Sequence, residues 1–459
     1  MKKKCITLST LEISIFFFFY LILPDYFAIE FSETLPLLTA SRVLILLLTV
    51  SVILFGKKGT LKKGIKDKSY IAFILILGFV NVVNLSSSFG PSLKTIISLL
   101  LEYYLLTYII ICLVDSEEKI NTALTAMVYA SILVGILGAI ETVTGVNVFY
   151  YLTTTEREML QSQYQRYGAL RASGPFGHAV YFGNYAVCMI PFTLYLYDIK
   201  KKPIFFVAFL INIVSVLLSG SRGSVVFLII LLMYIWIKKR RKDTRKYTRN
   251  LILLIPIVII AFIIFPNLFD MAYTVIESSL ESLTNNSTER SNNFVGNANA
   301  ILSRLEQWSG FLWTVNNGKV LFGFGNNAHM EGLISYFVDG VWVRRKTFDV
   351  GFVAIFCQYG LIGTVGYFIL FVSRLKKTLA YKSRLRNASF SSNYKDQGLR
   401  LLDLQTTFNI FYTGYLIHLL SSVGIEAMLV LVISIQIATN RICDKVLSVS
   451  EKKEANKIL

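Results

Sequence analysis

Residues 203–246 read PIFFVAFLINIVSVLLSGSRGSVVFLIILLMYIWIKKRRKDTRK. Two apolar runs, Pro203–Leu218 and Gly223–Ile237, are separated only by Ser219-Gly220-Ser221-Arg222. Lys238, Lys239, Arg240, Arg241, Lys242, Arg245 and Lys246 follow the second run. An apolar helical pair joined by a minimal turn and closed by a basic cluster is the signature of a membrane hairpin with its charged end in the cytoplasm. Such runs recur along the whole chain. Several reach 18 residues or more, enough to cross a hydrocarbon layer of roughly 30 Å. Of the 459 residues, 54% are hydrophobic and only 16% charged, against about 25% charged in soluble domains. One buried core cannot explain so many runs, so the fold class expected is an all-α polytopic membrane protein.

Twelve spans are expected: Leu11–Phe27, Pro36–Phe55, Tyr70–Leu85, Leu93–Val114, Ile120–Val143, Ala179–Tyr197, Pro203–Leu218, Gly223–Ile237, Leu251–Phe265, Val350–Val372, Thr407–Ser422 and Ala427–Thr439. If they alternate, the basic segments after the second, sixth, eighth and tenth spans, and Lys2–Lys4 before the first, fall on one side. Lysine- and arginine-rich short loops stay in the cytoplasm, which puts both termini there. Met1–Lys4 before an apolar run imitates a leader peptide. No small-residue cleavage site follows Phe19 and Pro24-Asp25 breaks the run, so an uncleaved first helix is expected. The net charge of +18 sits mostly in these loops and suits an anionic inner leaflet. It does not form a basic domain for nucleic acid. Cys5, Cys112, Cys188, Cys357 and Cys443 contain no C-x-x-C pair, so neither a disulfide framework nor a zinc site is expected.

The chain divides into 1–144 with five spans, 145–178 as a first outer loop, 179–265 with four spans, 266–349 as a large outer loop, and 350–459 with three spans and a tail. The two loops are expected to form a small extracytoplasmic helical cap. A loop of roughly 80 residues is seldom without structure or function of its own. In it, Ala298–Val315 has helical spacing, with Ile301, Leu305, Trp308 and Leu312 on one face.

Three local features carry candidate chemistry. In the turn Ser219–Ser224, an arginine at the outer membrane surface suits a phosphate or pyrophosphate, because the guanidinium fork binds two oxygens. A snorkelling interfacial arginine is the plainer reading. In the large loop, Arg304 and Trp308 lie four apart on one helical face, and Leu321-Phe322-Gly323-Phe324-Gly325 comes after them. Third, Asp349-Val350-Gly351-Phe352 comes eleven residues before Gly360-Leu361-Ile362-Gly363. Asp349 is either a functional carboxylate or only a helix cap. Within the spans, Arg42 and Glu102 are either an interhelical ion pair or, for Arg42, a further phosphate ligand. His418 reads as structural, and His178 as an interfacial residue at the entry to the sixth span.

These features, in this order, resemble the O-antigen ligase and polymerase family of bacterial membrane glycosyltransferases. That family shows a serine-arginine-glycine turn, then a large outer loop with an arginine, a tryptophan and G-x-G, then a polar pair before G-L-x-G. Arg171-Ala172-Ser173-Gly174-Pro175-Phe176-Gly177-His178 also looks like the end of the family's first loop. The resemblance implies a GT-C type of fold in the bacterial cytoplasmic membrane and an undecaprenyl-pyrophosphate-linked oligosaccharide as donor, with no metal and no other cofactor. It implies pyrophosphate contacts for Arg222 and Arg304; Arg42, as a charge within a span, is a third phosphate candidate, and Arg171 and Trp308 are the candidates for glycan contact. The family's ligases place a histidine, implied as general base, in the polar pair. Here Asp349-Val350 stands in its place, so the catalytic candidates are Asp349 and His329, with Glu331 and Asp339 nearby. The missing histidine favours a polymerase of lipid-linked repeats over a ligase, with a flippase and a chain-length regulator as partners. A transporter is the rival from another class. It predicts repeated halves, and none is visible.

Overall fold

The computed structural model describes residues 8–32, 35–55, 64–155, 165–166, 169–239, 305–326, 328, 332–338, 340–344, 348–388, 392–420, 422 and 424–458. The fold is all-α and polytopic. The helices are α1 (Leu8–Ile22), α2 (Ala40–Phe55), α3 (Lys68–Val83), α4 (Phe89–Ser98), α5 (Leu106–Leu113), α6 (Glu117–Thr144), α7 (Ala179–Lys200), α8 (Pro203–Leu218), α9 (Arg222–Lys239), α10 (Ser309–Asn316), α11 (Gly351–Asn387), α12 (Ser392–Leu419) and α13 (Glu426–Ile458). A π-helical stretch, Leu99–Leu105, joins α4 to α5 in one rod. Six of these rods are long and apolar enough to cross a membrane: Lys68–Ser86, Phe89–Leu113, Glu117–Thr144, Ala179–Lys200, Gly351–Asn387 and Glu426–Val449. Eleven of the twelve expected spans coincide with helices; the ninth, Leu251–Phe265, lies outside the described residues.

Local chemistry sets the helix ends. Asp67 caps α3 by accepting from the Tyr70 N–H at 3.2 Å. Ser116 caps α6, whose first turn carries Glu117 and Glu118 where the helix dipole favours anions. α6 stops at Gly145 in the left-handed conformation, φ 75°. Pro203 opens α8 at a position where a missing N–H costs nothing.

The rods pack side by side, α1 on α6, α3 on α11, α7 on α8 and α12, and α5 on α13. One continuous apolar core runs through them. Contacts between chain-distant residues gather at two ends. At one, Arg374 and Lys377 each lie 2.6 Å from the carboxylate of Asp67, and Arg400 pairs with Glu117. At the other, Asn84 Nδ2 donates to the Phe322 carbonyl at 2.9 Å and Asn326 Nδ2 to Thr95 Oγ1 at 2.6 Å. We call these the basic end and the loop end. Segments that the alternating pattern assigns to one side meet one another at one end.

Two expectations change, and a third gains a direction. α11 runs to Asn387, α12 starts at Ser392 and α13 reaches Ile458, so the segment from Arg374 to Arg400, expected as a loop, is almost wholly helical. Hydropathy sees only the apolar stretch of a helix and is blind to a solvated extension. The expected helical cap contains, among the described residues, the eight-residue α10, 3₁₀ turns at Val148–Leu152 and Gly174–Phe176, and two hairpins. These are β3 (Gln165–Arg166) with β4 (Ala169–Leu170), and β5 (Ser335–Val338) with β6 (Val341–Arg344); β1 (Ala28–Ile29) pairs with β2 (Leu38–Thr39) in the α1–α2 connection. Finally, Leu305, Trp308 and Leu312 do share a face, but it points outward. Gln307, Gly310 and Thr314 make the packed side. Small and polar contacts facing protein, with apolar residues facing out, are the pattern of helices in lipid.

Candidate functional site

The loop end is built around the turn Ser219–Ser224. Gly220 adopts φ 55°, and Ser221 caps α9, its Oγ accepting from Ser224 N–H at 3.4 Å. Arg222 is therefore the first residue of α9, half-buried and held by the turn. Arg171 lies across the same turn. Its Nε donates to the Ser219 carbonyl at 2.8 Å, and the Ala172 N–H donates to the Leu218 carbonyl at 3.0 Å. A Cβ on Gly220 would stand 3.2 Å from Arg171 Cγ. Two arginines thus share one turn, although they are far apart in sequence.

Ser173 and Gly174, just past Arg171, anchor it in place. The buried carboxylate of Glu141, at the end of α6, accepts from the Ser173 N–H at 3.0 Å, the Gly174 N–H at 2.8 Å, and Ser173 Oγ at 2.7 Å. Asn147 Nδ2 reinforces this anchor with bonds to Glu141 Oε1 at 3.1 Å and Ser173 Oγ at 3.0 Å. His178 then caps α7, its Nδ1 accepting from the Val180 N–H at 3.2 Å. That bond puts the ring proton on Nε2 and makes it a donor. Burial, with Arg171 nearby, pushes the His178 pKa down to about 4, against a smaller opposing pull from Asp349. The imidazole is neutral at pH 7, and Arg171 and Asp349 each lie within its electrostatic reach.

Asp349 is exposed and precedes the first turn of α11. It is oriented by Gln307, which is buried. Gln307 Nε2 donates to Asp349 Oδ2 at 3.1 Å, and Gln307 Oε1 accepts from the N–H groups of Asp349 at 2.8 Å and Val350 at 3.1 Å. The side amide thus satisfies two backbone donors at a helix start and fixes the carboxylate beside them. A chain of contacts ties this corner to the arginine turn. Ser224 Oγ donates to Asn184 Oδ1 at 2.7 Å, Asn184 Nδ2 donates to Ser422 Oγ at 3.4 Å, and the Ser422 carbonyl would meet a Cβ on Gly351 at 2.8 Å.

The two glycine motifs form one unit. α11 is broken at Gly360, φ 63° and ψ −164°. The break frees carbonyls above it and N–H groups below it. The Phe324 and Gly325 N–H groups donate to the Cys357 and Gln358 carbonyls, both at 2.9 Å. In return the Leu361 and Ile362 N–H groups donate to the Val320 and Leu321 carbonyls at 2.7 and 3.1 Å. A Cβ on either Gly323 or Gly360 would come within 2.5 Å of the other segment's backbone. Gly323-x-Gly325 and Gly360-x-x-Gly363 therefore let a loop pair with an opened helix.

Arg42 lies on the other wall. It forms an ion pair with Glu102, Nε to Oε1 2.9 Å, and bonds to Ser98 Oγ at 2.7 Å and to the Leu37 carbonyl. The interhelical pair is the reading the geometry supports; all three guanidinium nitrogens donate within the protein. Trp308 stacks on Phe311 with centroids 5.5 Å apart. His418 is buried and stacked on Phe227 at 4.8 Å. Arg304, His329, Glu331 and Asp339 lie outside the described residues.

Sequence reasoning missed Gln307 and Glu426. Glu426 opens α13; Tyr103 Oη donates to its Oε2 at 2.7 Å and Tyr367 Oη to its Oε1 at 3.0 Å. An ionisable residue opening an apolar span was the signal available for it.

Fold and site together define an integral membrane protein with a polar, arginine-bearing end. The O-antigen ligase family model matches residues 207–368. The match takes in the Arg222 turn, Arg304, Trp308, His329, Asp349 and the broken helix, and it supports an O-antigen ligase/polymerase-like family for this chain. A comparison with curated proteins gives no match.

Proposed function

We propose that this chain polymerises undecaprenyl-pyrophosphate-linked oligosaccharide repeats into a surface polysaccharide, a capsule or exopolysaccharide, on the outer face of the bacterial cytoplasmic membrane. The observation that carries the reading is the shared turn of Arg171 and Arg222, joined through Ser224, Asn184 and Ser422 to the corner that holds Asp349, most of it inside the O-antigen ligase match. The loop end faces outward in this reading and both termini are cytoplasmic, supported by the Lys- and Arg-rich connections at the basic end.

An acceptor hydroxyl attacks the anomeric carbon of the donor glycan. The bond from that carbon to the pyrophosphate oxygen breaks, and undecaprenyl pyrophosphate leaves with the electron pair. Arg222 and Arg171 stabilise the charge gathered on the leaving oxygens, with Arg304 a further candidate; preorganised cations contribute most as that charge develops. Asp349 orients the acceptor hydroxyl or takes its proton, and His329 is the alternative. His178, which caps α7 within electrostatic reach of Arg171 and Asp349, helps to shape the same corner. Arg42 is left to Glu102.

Deletion of the gene and subsequent lipid extraction test the reading. Single repeats on undecaprenyl pyrophosphate should accumulate at the outer face. Repeats trapped inside would sink it in favour of transport, and full-length polymer lacking only its final acceptor would favour a ligase. An Arg222→Ala variant should lose polymer; unchanged chain length would remove Arg222 from pyrophosphate binding.

A further inference from the structure

The loop end has a second polar wall that the pyrophosphate chemistry does not use. Glu426 is exposed, yet its carboxylate is fixed by the phenols of Tyr103, 8% exposed, and Tyr367, 5% exposed. Tyr103 lies in the π-helical stretch Leu99–Leu105 and Tyr367 in α11. π-Helical segments frequently occur at functional sites. Here the stretch carries both Glu102, which pairs with Arg42, and Tyr103, which donates to Glu426.

An ionised carboxylate offers about four acceptor positions. The two phenols occupy two, and the exposed side of Glu426 leaves the others open. Its surroundings decide what can approach. Glu102 lies within electrostatic reach of both Glu426 and Asp25, and Arg42 is spent on Glu102. A pyrophosphate is repelled there. A neutral molecule rich in hydroxyl donors is not. Tyr181 of α7 lies within electrostatic reach of both Glu426 and Asp349, so the carboxylate–phenol wall and the Gln307-held Asp349 belong to the same part of the loop end.

We propose that Glu426, held by Tyr103 and Tyr367, is the subsite for the sugar of the incoming acceptor, accepting hydrogen bonds from hydroxyls that do not react. The inference rests on the glycan-transfer reading and divides its labour. Phosphate goes to the arginine turn, sugar to the carboxylate–phenol wall, and the reacting hydroxyl lies between them beside Asp349. No group is transferred to Glu426.

The test uses the full chain in nanodiscs, supplied with lipid-linked repeats extracted from the deletion strain. Apparent KM for polymer formation is measured with the inhibition constant of added undecaprenyl pyrophosphate. Glu426→Gln keeps the shape and one acceptor for the phenols. It should raise the apparent KM about tenfold and leave the inhibition constant within about threefold, since only the acceptor side is altered. Glu426→Asp should recover part of the loss, and Tyr103→Phe and Tyr367→Phe should each fall between. Arg222→Ala should instead weaken inhibition by undecaprenyl pyrophosphate. An unchanged KM in Glu426→Gln overturns the subsite, as does a parallel rise of KM and inhibition constant. If the unmodified chain forms no polymer, the glycan-transfer reading itself fails, a distinct result.

Discussion

Replacing Gly360 with alanine attacks the joint between α11 and the loop that precedes it. Gly360 adopts φ 63°, ψ −164°, a region essentially reserved for glycine and costing about 1–3 kcal/mol for another residue. The new Cβ would stand 2.5 Å from Leu321 C, Leu321 O and Phe322 N, all backbone atoms. No side-chain rotation relieves that, so the segments must separate. Separation breaks the four N–H···O bonds between Val320–Gly325 and Cys357–Ile362. At about 1 kcal/mol net each they contribute about 4 kcal/mol. The amides of Phe324 and Gly325 should then exchange hydrogen about a thousandfold faster, the ratio that energy corresponds to, and polymer formation should fall with them. Gly78→Ala is the control, because a Cβ there meets nothing within 4 Å and alanine favours a helix. Gly360→Ala with unchanged exchange in 320–325 and polymer formation within about twofold of the parent would refute the joint.

Gln307→Ala strips Asp349 of its orienting amide and leaves two N–H groups at the start of α11 without their acceptor. Polymer formation should drop about tenfold or more, with a lower thermal midpoint in detergent. His178 has a folded pKa of about 4, below its unfolded value of about 6.5. Between those values the unfolded chain binds more protons, so stability rises with pH across that window and gains nothing above it. Melts from pH 4.5 to 7.5 should show the slope flattened in His178→Asn, which can still cap α7. At the basic end, burial alone would raise the Asp67 carboxyl; Arg374, with hydrogen bonds from Arg374, Lys377 and Ser69, instead holds it well below the usual carboxylate range. Asp67→Asn strands the fully buried Arg374 and should cost about 3–5 kcal/mol, while the double change Asp67→Asn with Arg374→Met should cost less, read by unfolding and membrane yield.

The rods were legible because bilayer-length apolar runs alternate with basic loops. α8 matches its expected bounds, Pro203–Leu218, because a proline opens it and the serine–glycine turn closes it. The continuations of α11 to Asn387 and α13 to Ile458 were not legible, since charged helical turns carry no apolar signal. In the site, Arg222 stood out as a charge in a turn too short to hide it. That Arg171 would lie across the same turn, Gln307 reach Asp349, or Tyr103 reach Glu426 across 323 positions depends on helix packing, which local spacing does not encode. The shared face of Leu305, Trp308 and Leu312 was legible from spacing, but its outward direction was not. A hydrophobic stripe marks the packed side in water and the opposite side in lipid.

The broken helix explains why the large loop lies where it does. Backbone polar groups at bilayer depth need partners within the protein, since lipid supplies none. A break nine residues into α11 exposes two carbonyls and two N–H groups, and Val320–Gly325 supplies the complementary four. The loop is thereby held at the depth of the break. α10 is held alongside, its Thr314 Oγ1 3.4 Å from Cys357 Sγ and its Phe311 ring 4.5 Å from that of Phe356. With α10 lying along the first turns of α11, Gln307 just ahead of it reaches Asp349, and Leu305, Trp308 and Leu312 face outward at the same level. The Asp349 carboxylate and an apolar helix face are thus set at one height by the same four backbone bonds. The proposed lipid-linked donor, a polar head on an apolar tail, would use both surfaces at once.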